Sequence, residues 1–385
     1  MTSRRSTHVG ARAHLSAASG WAPRLGLCCA FVSEPIRFRR TTARYAGGLA
    51  AHERRHFLAK LVADNARALL AAVEWCIARG VGAFRVNSEI LPLSTHPQLG
   101  YVLEQIDPHG ELRAAFAAVA DRVRESGLRL SLHPDQFVVP GSARADVVAS
   151  SLHELEAQAA VAELIGAEQL TIHGGGAEGG KISALARLAL GLAELSPRAR
   201  SRIVLENDDR LYTVADLLPF CVREAVALVY DVHHHRCNQD GLSVEEATVE
   251  AARTWGNREP WAHLSSPRGG WRGEDPRRHA DYIRPRDLPA CWVGLSMTID
   301  VEAKAKELAV LRLQRYILKQ YGATPGMVCR SRHRPGIGFR PAEHRPGVGF
   351  RPAEPEVRDA QEPDGARHYR ARGDSAHGAR VDNPW

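Results

Sequence analysis

Short apolar runs alternate with longer amphipathic segments along most of the chain. From Arg24 onward, eight runs rich in aliphatic and β-branched residues have the length and composition of buried strands. They cover residues 25–32, 83–87, 128–133, 169–173, 203–206, 225–231, 261–265 and 295–302. Between them, apolar positions recur at helical spacing, which predicts helices over 52–79, 112–125, 147–165, 182–195, 214–222 and 244–254, and a last helix that ends near residue 319.

This alternation predicts an α/β fold, a (β/α)₈ TIM barrel formed by residues 24–322. Parallel strands need crossover connections, and the helical segments supply them. Eight β/α units that close on themselves leave no sheet edge exposed, and a segment of about 300 residues lies within the usual size range of such barrels.

The hydrophobic pattern stops at both ends of the predicted barrel. Residues 1–23 are rich in Arg, Ser and Ala, and residues 323–385 are dense in Pro, Gly and Arg. Within the second segment, the eleven-residue unit 333–343 is repeated almost unchanged at 344–354. Neither segment has enough apolar residues to bury a core, so we predict disordered N- and C-terminal extensions. The composition of the first segment is also that of an organelle transit peptide, which is the alternative for residues 1–23.

Charge and cysteine content restrict the partners and the compartment that we expect. The whole chain carries a formal charge of +7, with four Arg and no acid in the first 24 residues and eleven Arg against eight acids in residues 325–385. Residues 25–324 therefore have no net charge, so DNA binding would need a local basic groove. The seven scattered cysteines form no C-x-x-C pair, and no apolar run reaches about eighteen residues. We expect a protein of the reducing cytoplasm that does not associate with membranes.

Side chains that bind metals stand at the ends of six consecutive predicted strands. They are His133, His173, Glu206, Asp231 followed by His234, His263 and Glu302. In a TIM barrel the carboxyl ends of the strands meet at one rim, where catalytic groups lie. A single His at a strand end is usually a hydrogen-bonded core residue, but so many imidazoles and carboxylates at one rim would be left unpaired without cations.

The kind of side chain at this rim indicates which cations to expect. Mixed imidazole and carboxylate ligands without thiolate favour Zn²⁺, Mn²⁺ or Fe²⁺ over Mg²⁺ or Ca²⁺, and the ligands are too many for one ion. We therefore predict two to three divalent metal ions, with Glu206 and Glu302 bridging them as catalytic residues. Adjacent cations lower the pKa of water and clamp the oxygens of an in-line displacement, which is the chemistry of multinuclear phosphodiesterases.

A polar amide and an aromatic ring follow the third predicted strand. Gln136 and Phe137 lie just past His133, where they would be placed to wedge into a stack of bases. The alternative from composition is that Phe137 packs under its own loop.

Read in chain order, these residues resemble those of the UV-damage endonuclease family, a TIM-barrel relative of endonuclease IV. The blocks that carry the resemblance are RLGLCC at Arg24, FRVNSEILPLSTHP at Phe84, SLHPDQF at Ser131, IHGGG at Ile172, LENDD at Leu205, YDVHHH at Tyr230, HLSSP at His263, HADYI at His279 and VEAKAKE at Val301. Together they span nearly the whole predicted barrel. The family cleaves the phosphodiester immediately 5′ to a pyrimidine dimer or a 6-4 photoproduct, and the resemblance implies the same for this chain.

The resemblance also implies a role for particular residues and a metal. It implies a first metal held by His133, His173 and Glu206, a second held by Glu206, Asp231, His263 and Glu302, and a third held by His234 and His279. His96 matches a catalytic family histidine near the scissile phosphate, and Gln136 with Phe137 matches the pair that fills the gap left by the flipped-out nucleotides. Mn²⁺ is the metal that the family favours, with Zn²⁺ or Mg²⁺ as alternatives. The implied partner is double-stranded DNA carrying UV lesions, in a bacterial cytoplasm at the nucleoid, without an obligate protein partner.

Three positions depart from the family pattern. Trp261 stands where many members have a lysine that assists at the metal site, Phe137 where Tyr is common, and Leu27 where some members have Tyr. Phe137 keeps the stacking face of a tyrosine and loses only its hydroxyl group. Trp261 replaces a residue of the metal site itself. It indicates either a subgroup of the family in which the surroundings of the metals differ, or a loss of full activity.

Two other functions are compatible with parts of the pattern. A metal-dependent sugar isomerase or epimerase on the same barrel would need only about four ligands and no Gln-aromatic loop. A barrel that binds damaged DNA without cutting it is favoured only by Trp261, because the carboxylates needed for cleavage are present.

Overall fold

The computed structural model describes residues 21–322, which form a closed barrel of eight parallel strands. The strands are β1 (Arg24–Cys28), β2 (Ala83–Val86), β3 (Arg129–Leu132), β4 (Gln169–His173), β5 (Ile203–Glu206), β6 (Ala227–Asp231), β7 (Trp261–Leu264) and β8 (Thr298–Val301). Each strand pairs with the next in the chain, and β1 pairs with β8 to close the ring. The predicted (β/α)₈ TIM barrel is confirmed.

Helices connect the strands and cover the outside of the barrel. They are α1 (Ala43–Gly47), α2 (Ala51–Arg79), α3 (Leu103–Ile106), α4 (Glu111–Ser126), α5 (Ala145–Ile165), α6 (Lys181–Ala193), α7 (Pro197–Arg200), α8 (Val214–Glu224), α9 (Val232–Cys237), α10 (Val244–Arg253) and α11 (Lys306–Tyr321). The long helices bury one apolar face each, as Leu58, Leu69 and Val73 do in α2. Helix α2 ends at Gly80, whose left-handed φ of 66° turns the chain back towards β2.

Side chains along each strand alternate between the helical layer and the barrel interior. In β5, Ile203 and Leu205 belong to the large apolar cluster that includes the helices, whereas Val204 belongs to a separate small cluster. That small cluster also contains Ala83, Ala227, Val229 and Trp261, all on strands, and it fills the interior. Because residues two apart in a strand point the same way, the next inward residue of each strand lies at the carboxyl-end mouth.

The structure differs from the predicted elements mainly at their ends. Strand β1 stops at Cys28, because Cys29 has a φ of 64°, which ends the extended conformation. Strand β8 begins only at Thr298, after a 3₁₀ turn over Ala290–Trp292. The four short helices α1, α3, α7 and α9 are not predicted by the hydrophobic pattern, since helices of four to six residues hold too few repeats to show a period.

The N-terminal end of the described region already packs against the barrel at Trp21. Its indole N–H donates to the carbonyl oxygen of Leu295 at 3.0 Å, and its ring meets that of Tyr321 edge to face. The predicted disordered extensions lie outside the described residues, apart from 21–23, and stay predictions. Among residues 21–322, no helix has both the length and the apolar character needed to cross a bilayer.

Candidate metal centre

Eight imidazole and carboxylate side chains are gathered at the carboxyl ends of the strands. Strand pairing alone brings several of them side by side, since His173 is in register with Glu206 and Asp231 with His263. His133 follows β3, Glu302 follows β8, and His234 lies in α9 directly after β6. His279 belongs to the long connection between β7 and β8. An isolated antiparallel β-bridge pairs it with Pro267, which follows β7 at the rim.

Glu206 lies at the centre of this group and is almost completely buried. Its Oε2 atom is 2.9 Å from His133 Nε2 and 3.9 Å from His173 Nε2. Its Oε1 atom is 3.0 Å from His263 Nδ1 and 3.2 Å from His234 Nδ1. One carboxylate therefore faces four imidazoles, two on each oxygen, so Glu206 would be a ligand that two cations could share.

One carboxylate oxygen of Asp231 accepts a hydrogen bond from the backbone, and the other faces the neighbouring histidines. Its Oδ1 atom accepts the backbone N–H of His234 at 2.7 Å and so caps α9. Its Oδ2 atom has no hydrogen-bond partner among the described residues and lies 3.6 Å from His234 Nδ1 and 3.9 Å from His263 Nδ1. The Asn207 side chain fixes the Asp231 backbone on both sides, donating to its carbonyl oxygen and accepting its N–H, each at 2.9 Å.

Glu302 is held from the opposite side by a buried arginine. Arg85 Nη1 donates to Glu302 Oε1 at 2.6 Å, and the same oxygen is 3.4 Å from His263 Nδ1. The second oxygen, Oε2, has no hydrogen-bond partner among residues 21–322 and lies 3.8 Å from His279 Nδ1. Ser265 Oγ lies within 3.4 Å of both His279 ring nitrogens and donates to the Glu302 carbonyl oxygen at 3.0 Å.

The three histidines that follow Asp231 are not equivalent. His234 faces Glu206 and Asp231. His235 turns away from the group, where its Nδ1 is 2.6 Å from the Tyr230 hydroxyl and its Nε2 is 3.2 Å from Asp240 Oδ1. His233 is buried between the rings of Trp271 and His279, whose centroids lie 5.2 and 5.0 Å away.

Three overlapping groups of side chains have the spacing of metal ligands. They are His133–His173–Glu206, Glu206–Asp231–His234 and Asp231–His263–Glu302, with the ligand atoms of each group within 4.8 Å of one another. The structure thus brings seven of the eight predicted metal-binding residues into these groups; His279 is outside them, next to Glu302. Its assignment to a third metal together with His234 stays a prediction.

The buried atoms of the groups fit a set of bound cations. His173 Nδ1, Asp231 Oδ2, both His263 ring nitrogens and Glu302 Oε2 are buried and lack hydrogen bonds within the described region. Leaving several buried polar atoms without partners is costly, and cations are the partners that would satisfy imidazole nitrogen and carboxylate oxygen together. The donors are nitrogen and oxygen without sulfur, a set suited to Zn²⁺, Mn²⁺ or Fe²⁺.

Burial and mutual charge also set the protonation of the group. Burial lowers the pKa of His173 to about 4, and of His279 to about 4, so both imidazoles are neutral at pH 7, which is the form of histidine that binds metals. Burial would raise the pKa of Glu206, but His263 and His173 outweigh it and hold this pKa well below its usual range. Burial raises the pKa of Asp231 to about 7. Burial would lower the pKa of His263, but Glu206 and Glu302 raise it to about 9.

The remaining predicted site residues lie on loops at the same end of the barrel. His96 follows β2, and its Nδ1 accepts the backbone N–H groups of Gln98 and Leu99, each at 3.2 Å. This places the ring proton on Nε2 and leaves it available as a donor. Gln136 and Phe137 form the exposed tip of the loop after β3, where Asp135 Oδ1 accepts the Phe137 N–H at 3.0 Å. Phe137 is 76% exposed, which excludes the alternative that it packs under its loop.

Three residues of the centre are not predicted from the sequence: Arg85, Asn207 and Asp300. Arg85 and Asp300 sit inside strands, where a charged residue flanked by apolar ones points into the barrel. The signals available in the sequence are the charge inside each strand and, for Asp300, the two-residue spacing from Glu302. Asn207 follows Glu206 directly, and nothing in its spacing indicates that it would clamp Asp231.

Similarity to known proteins extends over the barrel and its centre. The family profile described as UV-endonuclease UvdE matches residues 23–329. The chain belongs to this family. Among UvdE relatives, the UV DNA damage endonuclease of Deinococcus radiodurans is 34% identical over 307 residues, which cover 76% of this chain and 95% of that protein.

Solved structures agree with the UvdE assignment. The crystal structure of SacUVDE has a TM-score of 0.69 at 26% identity and covers 79% of this chain and 100% of that one. Endonuclease IV from Thermus thermophilus, with a TM-score of 0.52 at 17% identity, covers 77% of this chain and 100% of its own, and shares the fold. The resemblance drawn from the sequence blocks is therefore confirmed.

The departure at Trp261 has a structural counterpart inside the barrel. Trp261 is almost fully buried, and the Arg129 guanidinium lies over its ring at 4.3 Å from the centroid. It points the same way as His263, two residues further along β7. Trp261 thus fills the interior beneath the metal-ligand groups and adds no charge or ligand atom to them.

Proposed function

We propose that this protein nicks double-stranded DNA immediately 5′ to UV photoproducts, both pyrimidine dimers and 6-4 photoproducts, by metal-assisted hydrolysis. The observation that carries the proposal is the Glu206 carboxylate facing four imidazoles at the mouth of a UvdE-family barrel. A relative named UV DNA damage endonuclease supports the substrate class. The reaction leaves a 3′-hydroxyl and a 5′-phosphate.

Two to three divalent ions, Mn²⁺ first among them, fit the donor set. His133, His173 and Glu206 would hold one, and Asp231, His263 and Glu302 a second. Glu206, Asp231 and His234 form a third group between them. Bound cations supply Lewis-acid stabilisation of the charge that develops on the phosphate. The chain's own residues fix the positions, since Arg85 holds Glu302 and Asn207 holds Asp231.

Loop residues around the mouth would orient the DNA. The His96 Nε2–H donor is free to hydrogen-bond the phosphate at the cut. The exposed tip formed by Gln136 and Phe137 would enter the stack where the damaged nucleotides are flipped out, because an exposed aromatic ring stacks on neighbouring bases irrespective of their sequence. A probe of this kind senses the distorted stack and accepts chemically different lesions.

We place this activity at the nucleoid, in the bacterial cytoplasm, and assign no protein partner to it. The support for a bacterial DNA-repair setting is the naming of the Deinococcus radiodurans relative.

The decisive experiment incubates the purified protein and Mn²⁺ with end-labelled duplexes, with and without a photoproduct. We expect a nick on the 5′ side of the lesion only. Glu206→Gln should lower the nicking rate by more than about 100-fold, since even a group that only supports a ligand contributes roughly 10- to 100-fold. Lesion binding in a gel-shift assay should persist in this variant.

Glu194→Gln, a change of an exposed acid next to α6, is the matched control and should nick normally. Normal nicking by Glu206→Gln would contradict the assignment of the site. Lesion binding without any nicking by the wild type would instead support the non-cleaving barrel. Turnover of a ketose without DNA cleavage would support the sugar epimerase.

A further inference from the structure

Asp300 is a charged residue buried in the barrel that none of the roles above uses. It lies on β8, in register with Gly26 of β1 on one side and His263 of β7 on the other. The residue is 0% exposed, and neither carboxylate oxygen has a hydrogen bond among residues 21–322. A buried carboxylate in that condition is unfavourable, so its presence calls for a specific interaction.

The barrel is built to leave room for this carboxylate. A Cβ atom on Gly26 would lie 2.0 Å from Asp300 Oδ1, far inside van der Waals contact. Gly26 is therefore the residue that strand β1 needs opposite Asp300. Burial raises the pKa of Asp300, and the nearby Trp261 indole N–H lowers it in part. The indole N–H does not have the geometry of a hydrogen bond to the carboxylate.

Arg85 does not account for Asp300. Its Nη1 donates to Glu302 at 2.6 Å, and within the described region it forms no ion pair with Asp300. Burial raises the pKa of Asp300, and the positive charges of Arg85 and His263 act against that rise. Arg85 therefore contributes charge at a distance, and the contact partner must be another residue.

The ionisable residue that faces Asp300 at short distance is His263. Asp300 Oδ2 lies 3.7 Å from His263 Nε2, an electrostatic contact between residues paired in neighbouring strands. The other ring nitrogen, Nδ1, faces Glu206 Oε1 at 3.0 Å and Glu302 Oε1 at 3.4 Å. The two nitrogens thus face opposite ways, one towards the proposed metals and one towards Asp300.

We propose that Asp300 is a positioning residue, whose carboxylate fixes the Nε2–H tautomer of His263 and keeps the Nδ1 lone pair directed at a divalent cation. This inference rests on the proposed metal function and adds a residue to it. A carboxylate behind a ligating imidazole fixes the tautomer and ring orientation and makes the ligand nitrogen more basic. Asp300, His263 and the neighbouring Trp261 are all almost fully buried, so the pair is shielded from water.

Asp300→Asn tests the proposal because it keeps the size of the side chain and removes its charge. We expect Mn²⁺ to bind about 10- to 100-fold more weakly at the affected site, measured by competition with a fluorescent chelator. The absorption spectrum of the Co²⁺-loaded protein should also change, because the donor nitrogen of His263 is altered. A residue that only fills space predicts wild-type values in both measurements.

Asp240→Asn is the matched control, since Asp240 is a carboxylate 3.2 Å from the Nε2 atom of His235, outside the metal-ligand groups. This variant should keep the Mn²⁺ affinity and the Co²⁺ spectrum. Gly26→Ala offers a second route, because its new methyl group would displace the Asp300 carboxylate. It should weaken Mn²⁺ binding in the wild type and have little further effect in an Asp300→Ala background.

The outcomes separate this inference from the function on which it rests. If the wild-type protein binds no divalent ion, the proposed metal function fails. If the wild type binds Mn²⁺ and Asp300→Asn binds it equally well, with an unchanged Co²⁺ spectrum, the role of Asp300 is overturned and the function stands. Equal losses in Asp300→Asn and Asp240→Asn would likewise overturn it, since they would indicate a general structural effect.

Discussion

Asp231 serves the backbone and the candidate metal centre at the same time. Its Oδ1 atom caps α9, and its Oδ2 atom remains without a hydrogen bond in the described region. The cap holds the carboxylate in one orientation, so the free oxygen is aimed at the group before any ion binds. Preorganisation of this kind lowers the entropy lost when a ligand is fixed.

The exposed loop tip after β3 carries a prediction of its own. Replacing both Gln136 and Phe137 by Ala should reduce the preference for photoproduct DNA over undamaged DNA by about 5- to 150-fold, the range expected from the loss of one stacked base at 1–3 kcal/mol. Competition gel shifts with damaged and undamaged duplexes measure this preference.

Metal content should not change in that double variant, because the tip contributes no ligand atom to the metal-binding groups. Val222→Ala, which removes another strongly exposed apolar side chain, is the control and should keep the preference. A loss of bound metal with unchanged lesion preference would contradict the probe role of the tip.

At the scale of the elements, the junction between β5 and β6 depends on one amide. Asn207 is fully buried and makes two hydrogen bonds to the Asp231 backbone, across the ends of neighbouring strands. We expect Asn207→Ala to lower the free energy of unfolding by about 2–4 kcal/mol, because two buried backbone groups would lose their partners. Urea denaturation followed by circular dichroism measures this.

Asn238→Ala is the comparison for the junction, since Asn238 makes one longer bond, 3.2 Å, to the Asp208 carbonyl oxygen at a partly exposed place. It should cost less than about 1 kcal/mol. If both variants lower the free energy of unfolding by a similar amount, the two Asn207 hydrogen bonds do not stabilise this junction more than an ordinary one.

Most strands of the barrel could be predicted from the sequence, but some ends and short helices could not. The strands were predictable because most are short apolar runs buried on both faces, as in Ala227, Leu228 and Val229 on β6. The end of β1 was not, since the left-handed conformation of Cys29 leaves no mark in an apolar run that continues to Val32. Helix α9 was missed because it is held by the Asp231 cap rather than by a periodic apolar face.

In the candidate centre, too, some features could be predicted from the sequence and others could not. Strand-end residues such as His173 and Glu206 could be predicted, because parallel strands in a barrel always bring their carboxyl ends to one rim. The contacts among them could not be predicted, because they depend on register and rotamers. Asp300 illustrates this limit: its position two residues before Glu302 puts it on the same face, yet only the structure brings it to His263 and Gly26.

For the whole molecule, stability should depend on divalent ions. The metal-ligand groups draw on β3 to β8, so a bound ion contacts the folded barrel and not the unfolded chain. Binding at about 100 times the dissociation constant adds about 2.7 kcal/mol of stability. We expect Mn²⁺ to raise the melting temperature by several degrees above that in EDTA, measured by differential scanning fluorimetry.

Glu206→Gln should lose most of that rise, because Glu206 faces four of the imidazoles. Glu194→Gln should retain it. An identical rise in the wild type and Glu206→Gln would place the stabilising ion elsewhere on the molecule.

The closure of the ring between β1 and β8 has a consequence for the protein during its synthesis. Glu302 follows the last strand, and β8 is also the strand that pairs with β1 to complete the barrel. A chain still emerging from the ribosome therefore lacks both the final carboxylate and the closed scaffold that aligns the others. We therefore expect that a nascent chain without β8 cannot assemble the complete metal centre.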